Sequence, residues 1–406
     1  MKKFTIISLI LTVFVFTTFA QNTEQLYEQG RKEYKAGSYT KSIKTLSKVI
    51  NKSSFYYEAY AYRARAYHAL QMEDSALLDF NTSISKNPKY LVAYYYRGVY
   101  YFDLKDYEKA ISDFSHILQK KPDYAKALSY RGQSYEAINK DKMALADYTH
   151  SIKSGTKNFD LYYRRALLYK KHNELKLADY DLGKAIQYNS DCQEAYSLRG
   201  VIKVARGHYE KSIGDLSKAI EMNPDDQAAL EARAKAYLET EQLDKALADY
   251  NVLVVKFHTR NVEVYMQRGE LFVSQGEYSK ASKDFARTSR IDPGNDQALV
   301  ENAKVYLLRG RAQQSIPISR KAIHFNDKNW EAWYVRGKAY FDLNQFQNAE
   351  KDFNKSIELK PSAQAHYYRG QCRAERRELM GACEDLKTAE KMGFELATED
   401  LKHVCK

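Results

Sequence analysis

Residues 91–124 read LVAYYYRGVYYFDLKDYEKAISDFSHILQKKPDY, and this stretch decides the fold. It holds two apolar-periodic segments of about a dozen residues each, a break near its fifteenth position, and Pro122 near its end. Apolar residues recurring at three- and four-residue steps argue for amphipathic helices, and the proline marks a stop. Gly98 in the first segment and Ala110 in the second are no larger than a methyl group. Two helices that cross closely need such residues where their backbones meet. The stretch therefore reads as a helix hairpin.

Working outward, the same pattern recurs in rows of 34 residues starting at 23, 57, 91, 125, 159, 193 and 227. One extra residue sets the next starts at 262, 296 and 330, and one missing residue sets the last at 363. Eleven rows thus cover residues 23–396, with a tail at 397–406. Position 8 is Gly or Ala in every row, from Gly30 to Gly370, and position 20 is Ala or Ser in every row. Position 11 is Tyr in seven rows and Phe272 in an eighth. Five of the six prolines share one phase: Pro88, Pro122, Pro224, Pro293 and Pro361. One such hairpin cannot bury both its faces, so the hairpins are expected to stack into a right-handed, all-α solenoid. Pro317 falls inside the second helix of row nine, where it is expected to kink or shorten that helix.

Composition agrees. The chain has 406 residues with only 17 Gly and 6 Pro, too few turn-formers for a sandwich or barrel of this length. A single core rarely grows past about 250–300 residues, so this length calls for a repeat array or several domains. Lys and Arg number 64 against 52 Asp and Glu, a net charge of +12, with acidic residues interspersed along the rows. Four cysteines are too few for a disulfide scaffold.

The start of the chain reads as a signal peptide over residues 1–20. Lys2 and Lys3 precede an apolar run from Ile6 to Phe16, and Thr18 and Ala20 occupy the −3 and −1 places before Gln21. A retained anchor is the alternative, although the run is short for a membrane span. Export is expected, to the periplasm or alternatively to the medium or cell surface. No later segment has the length and apolarity of a span.

The third row, with Gly98, Tyr101, Ala110, Phe114 and Pro122, resembles the tetratricopeptide repeat. That family's position-4 aromatic also recurs, as Tyr60, Tyr94, Tyr162, Tyr196, Tyr265 and Trp333. The resemblance covers nearly the whole chain after residue 22. It implies a scaffold without catalysis, in which the first helices of successive hairpins line a groove that takes a protein or peptide. Positions 2, 5, 9 and 12 or 13 would face that groove. Those positions supply Tyr27, Arg31, Tyr34, Lys35, Arg65, His68, Tyr95, Val99 and Phe102 in rows one to three. They supply Tyr163, Leu167, Lys170 and Lys171 in row five, and Tyr334, Lys338 and Phe341 in row ten. Aromatic and Arg side chains carry most interface energy. The alternative is that rings at helical spacing are core. The clamp for chaperone tails found in some relatives uses Lys at 5 and Asn at 9, which this chain replaces with Tyr27 and Arg31, then Ala61 and Arg65.

Position 7 is Arg in nine rows and position 23 is Asp in the same nine, whereas Gln29 and Asn302 are matched with Thr45 and Ile318. Such matched presence predicts an ion pair that fixes each hairpin's register, rather than an anion site. No HExxH, GxSxG, GxxxxGK[ST] or CxxC motif occurs, and no two histidines fall three to five residues apart. Neither a metal, a cofactor nor an enzymatic activity is expected. The leading expectation is a scaffold in an envelope complex, with nucleic acid excluded by export. The rival is a binder of anionic envelope polymer or glycan, with its densest basic stretch at Leu161–Leu177.

At the far end, Leu396, Leu401 and Val404 mark a helix over Glu395–Val404 that caps the last hairpin. The segment from Gly381 to Cys405 resembles the ends of some exported bacterial repeat proteins, which carry a similarly placed cysteine pair. That resemblance implies a bond between Cys383 and Cys405. A bond between Cys372 and Cys383, or three reduced thiols, are the alternatives.

Overall fold

A computed structural model describes residues 22–405; the expected signal peptide, 1–20, and Lys406 lie outside the described residues. All regular structure in the described residues is α-helical. The first helix covers residues 22–35 and is followed by Tyr39–Lys52. Row three forms Leu91–Asp103 and Tyr107–Lys120, and the alternation continues to Ala363–Glu375 and Leu379–Lys391. The residues divide into two compact units, one ending at Ala195 and one beginning at Tyr196. Within each unit, a first helix packs on the second helix of its row, and that helix packs on the first helix of the next row.

The small-residue columns do what close helix crossing requires. A Cβ on Gly98 would lie 2.9 Å from the Phe114 ring, and one on Gly132 would lie 2.6 Å from the Tyr148 ring. The large residue at position 24 of the second helix thus lies across position 8 of the first. Two of the three serines at position 20 add a bond: the Ser42 and Ser315 hydroxyls donate to the carbonyls of Gly30 and Ala303, at 2.8 and 3.0 Å. These buried hydroxyls are satisfied by the helix they touch.

Between the two helices of a hairpin the chain reverses through one left-handed residue. Every row places position 15 at φ between +57° and +74°, whether it is Gly37, Gln71, Lys105, Asn139, Glu241 or Arg377. Only four rows put glycine there. Three more use Asn, which adopts this conformation readily, and Gln71, Lys105, Glu241 and Arg377 hold it at a cost of roughly 1 kcal/mol that the packed helices on either side impose.

Row nine corrects the expected shortening. Its second helix, Ala312–Phe325, is as long as its counterparts and runs unbroken through Pro317. Pro317 sits in the second turn, so only the Gln313 carbonyl loses an amide donor.

The array ends in a helix, Glu395–Val404, whose Leu401 and Val404 pack on Leu386, Ala389 and Ala397 together with Phe394. The Tyr367 hydroxyl donates to Asp400 at 2.8 Å. A disulfide joins Cys383 to Cys405, whose Cα atoms are 5.4 Å apart. Cys372 is a free thiol, fully buried against Phe353 and Ala365, and burial pushes its pKa up to about 12.

Candidate functional site

The Arg and Asp columns meet in all nine rows that carry them. In row four, Arg131 Nε donates to Asp147 Oδ2 at 2.8 Å and Nη2 to Oδ1 at 2.7 Å. The same two-pronged geometry recurs from Arg63–Asp79 to Arg369–Asp385. The aspartates are nearly sealed, and the guanidiniums are only partly exposed. Bidentate pairing of this kind fixes orientation as well as charge. At position 11 the ring flanks the guanidinium, with Tyr135 5.7 Å from Arg131 and Phe272 5.5 Å from Arg268. Rows six and eleven replace that ring with Lys203 and Arg373, which join the pair by bonding Asp215 and Asp385.

A further column escapes the sequence reading. The third guanidinium nitrogen reaches back to position 25 of the preceding row. Arg63 donates to Ser47, Arg97 to Asn81, Arg131 to Ser115, Arg165 to Thr149, Arg233 to Ser217, Arg268 to Asn251 and Arg369 to Asn354. One arginine therefore ties its hairpin shut and to the hairpin before it. The signal was available: Ser, Thr or Asn recurs at position 25 of those seven rows. Because it varies in identity, it does not stand out as the Arg does.

The expected groove residues separate into those buried and those presented. Tyr27 is only 6% exposed and packs against Tyr56 and Tyr62, with ring centroids 4.9 and 5.9 Å away. It belongs to the core between rows one and two, which corrects its assignment to the groove. Tyr34, Arg65 and His68 are half-buried, and Lys35 is exposed. Arg31 pairs with Glu28 and lies over Tyr62 at 5.2 Å. His68 Nε2 lies 3.0 Å from Asp103, linking rows two and three. Tyr95, Val99 and Phe102 are half-buried against the Phe114–Ile117 core, with Tyr95 and Phe102 at 6.0 and 5.4 Å from Tyr130. Burial pushes the Tyr95 hydroxyl pKa well up. Beside Tyr95 a notch of about 150 Å³ opens between Val92, Tyr96, Lys121 and Tyr124.

Position 6, not part of the expected groove, supplies the rings that gather these side chains. Tyr62, Tyr96, Tyr130 and Tyr368 all occupy it. Tyr368 collects the row-ten residues: Phe341 at 5.2 Å, Tyr334 at 6.3 Å and the Lys338 ammonium at 4.9 Å. Lys338 also pairs with Asp342. Row five is different. Tyr163 stacks on Phe159 at 5.3 Å, Leu167 and Lys170 are exposed, and Lys171 pairs with Asp141 at 2.7 Å. Within the basic stretch Leu161–Leu177, Arg164 and Arg165 are likewise matched, by Asp160 and Asp181. Among the described residues no cluster of His, Cys, Asp and Glu is placed to hold a metal ion, and no helix is long and apolar enough to cross a membrane.

Known proteins match this chain through its repeats. Models of the tetratricopeptide repeat match residues 92–124, 198–259 and 330–362. A solved tetratricopeptide repeat protein from Parabacteroides merdae is 23% identical, covering 61% of this chain and 99% of its own, with a TM-score of 0.42. YrrB, solved as a TPR protein with an unusual peptide-binding site, is 21% identical over 47% of this chain and 97% of its own, with a TM-score of 0.43. The APC/C hetero-tetramer Cut9–Hcn1 is 14% identical over 95% and 96%, with a TM-score of 0.45. Among curated proteins, outer dynein arm-docking complex subunit 4 of Xenopus laevis is 23% identical over 100 residues, a quarter of this chain and 19% of that relative's length. The three matched segments are tetratricopeptide repeats, and the hairpins and small-residue columns of the other rows are built as theirs are.

Proposed function

We propose that this chain is a non-catalytic scaffold that holds a peptide segment or a partner protein along the first helices of rows one to four. Tetratricopeptide repeats generally mediate protein–protein interaction and are generally not catalytic. The observation that carries the reading is the half-buried sheet of Tyr34, Tyr62, Tyr95 and Tyr96 rings around the Arg65 cation, with the exposed Tyr124 ring at its edge. Stacking of hairpins needs the rings at positions 4 and 11, whereas these continue the aromatic surface outward beside an open notch. Large rigid rings and Arg are the side chains that bind at low entropic cost. The signal-like start supports export and a place in the cell envelope. The polymer-binding rival loses support, because three cations of its densest stretch are already matched by carboxylates.

The test is a displayed random-peptide selection on the purified chain. Enriched peptides should bind the wild type and lose at least tenfold in affinity on Val92→Glu, which puts a charge at a 39%-exposed residue on the notch. Equal binding by that variant would refute the site.

A further inference from the structure

Arg65 departs from the rule this chain applies to its other arginines in the hairpin seams. Nine of those are locked to an aspartate, whereas Arg65 makes neither an ion pair nor a hydrogen bond among the described residues. Its guanidinium instead lies among three tyrosine rings from three successive rows. Its central carbon is 3.6 Å from the Tyr96 centroid, 4.3 Å from Tyr34 and 4.7 Å from Tyr62. Nε is sealed from solvent without a partner, while the two terminal nitrogens are not sealed. A guanidinium carries its N–H groups in its own plane, so the two unsealed nitrogens can meet an incoming acceptor as a fork. Arg31 also lies over the Tyr62 ring, at 5.2 Å, and its charge is met by Glu28. Two cations therefore share one ring, and a single carboxylate contacts them.

We infer that Arg65 is the seat for a side-chain carboxylate, Asp or Glu, inside an extended segment of the bound partner. This rests on the groove reading above and specifies its ligand. A carboxylate is the group whose two oxygens match the guanidinium fork. Tyr34, Tyr62 and Tyr96 complete the seat: their rings enclose the guanidinium, and a phenol hydroxyl is a donor that a carboxylate can accept from. Burial raises the Tyr96 hydroxyl pKa, with the Arg65 charge acting in the opposite sense. An internal residue is favoured over a chain end because the cage lies in the middle of the ring surface. Tyr34 of row one lies on one side and Tyr96 of row three on the other, so the partner chain continues both ways over aromatic surface.

Oriented peptide libraries test this on the purified full chain. Twelve-residue random libraries carry a fixed central Glu, a fixed central Gln, or a single Glu at a free C-terminus. Retention of the central-Glu library at least tenfold above the Gln library is expected on the wild type. Arg65→Gln should bring the ratio to within twofold, and Arg65→Lys should lower it, since an ammonium neither stacks nor forks. Far-UV circular dichroism and melting of both variants should match the wild type. Equal retention of Glu and Gln, or a ratio that survives Arg65→Gln, would overturn the inference while leaving the groove reading standing. Preference for the C-terminal library would overturn the internal placement. Retention of none of the libraries would overturn the groove reading itself and this inference with it.

Discussion

Replacing Arg131 with Leu removes the two bonds that close the fourth hairpin and the one that ties it to the third. The magnitude follows from the seam's exposure. Arg131 is 21% exposed and Asp147 only 7%, so the mutation strands a nearly sealed carboxylate. Breaking a fully buried pair costs about 3–5 kcal/mol and an exposed one under about 1, which places Arg131→Leu near 3 kcal/mol. Asp147→Asn keeps one acceptor but turns an amide toward the guanidinium, for about 2 kcal/mol. The double variant should cost about 3 kcal/mol, a coupling near 2, because the second change removes the stranded charge. Ser115→Ala deletes only the 3.1 Å bond to the preceding hairpin and should cost about 1 kcal/mol. An array unfolds by units, so hydrogen exchange over Ala125–Lys153 is the assay, with urea melts of the whole chain beside it. Additive single effects, or an Arg131→Leu cost below about 0.5 kcal/mol, would show that the pair does not set hairpin register.

Other expectations are sharp enough to fail. Lys105→Gly relieves an L-residue held at φ +61° and should stabilise row three by up to about 1 kcal/mol, whereas the same change at solvent-facing Lys109, inside a helix, should destabilise it by a similar amount. The Lys171 ammonium, with His172 beside it, holds the Asp141 carboxyl below the usual carboxylate range. A depressed folded value stabilises above the unfolded one, near 3.9, and that gain is lost as pH falls through the folded value. The melting difference between wild type and Asp141→Asn should therefore be present at pH 6 and shrink steadily as pH falls below about 4; a constant difference would contradict it. Peptide mapping of oxidised protein should find Cys383 linked to Cys405 and Cys372 as a slowly alkylated thiol. Reduction opens a loop spanning 22 residues, worth about 3 kcal/mol by chain entropy, and should speed exchange in Glu395–Val404 first.

Much of the fold is legible because each row repeats the same physical demand. Position 8 must be small since, in the seven rows with glycine there, a ring or Leu from position 24 lies against it, and a small residue in all eleven rows makes that visible. The Arg and Asp columns were readable for the same reason: a bidentate pair tolerates no substitute for either member. Other columns hide because several residues satisfy them. Position 25 needs only an acceptor, so Ser, Thr and Asn alternate. Position 15 needs only a backbone conformation, which Lys105, Glu241 and Arg377 adopt under the pull of their helices. The groove was half legible. Periodicity placed Tyr34 and Arg65 on one face, but Tyr27 falls just inside the core, and whether a ring is presented or covered depends on the neighbouring row's residue. The position-6 tyrosines make that difference, and they belong to a different row from the side chains they hold.

Site-specific photocrosslinking tests the scaffold account most directly. A benzophenone amino acid at Val92, on the notch beside Tyr95 and Tyr96, is compared in the native cell with one at Leu78, which is 67% exposed on the second helix of row two. The account expects a discrete protein adduct at position 92 that is absent at position 78. Equal adducts at both positions, or none at 92 while 78 is labelled, would contradict it.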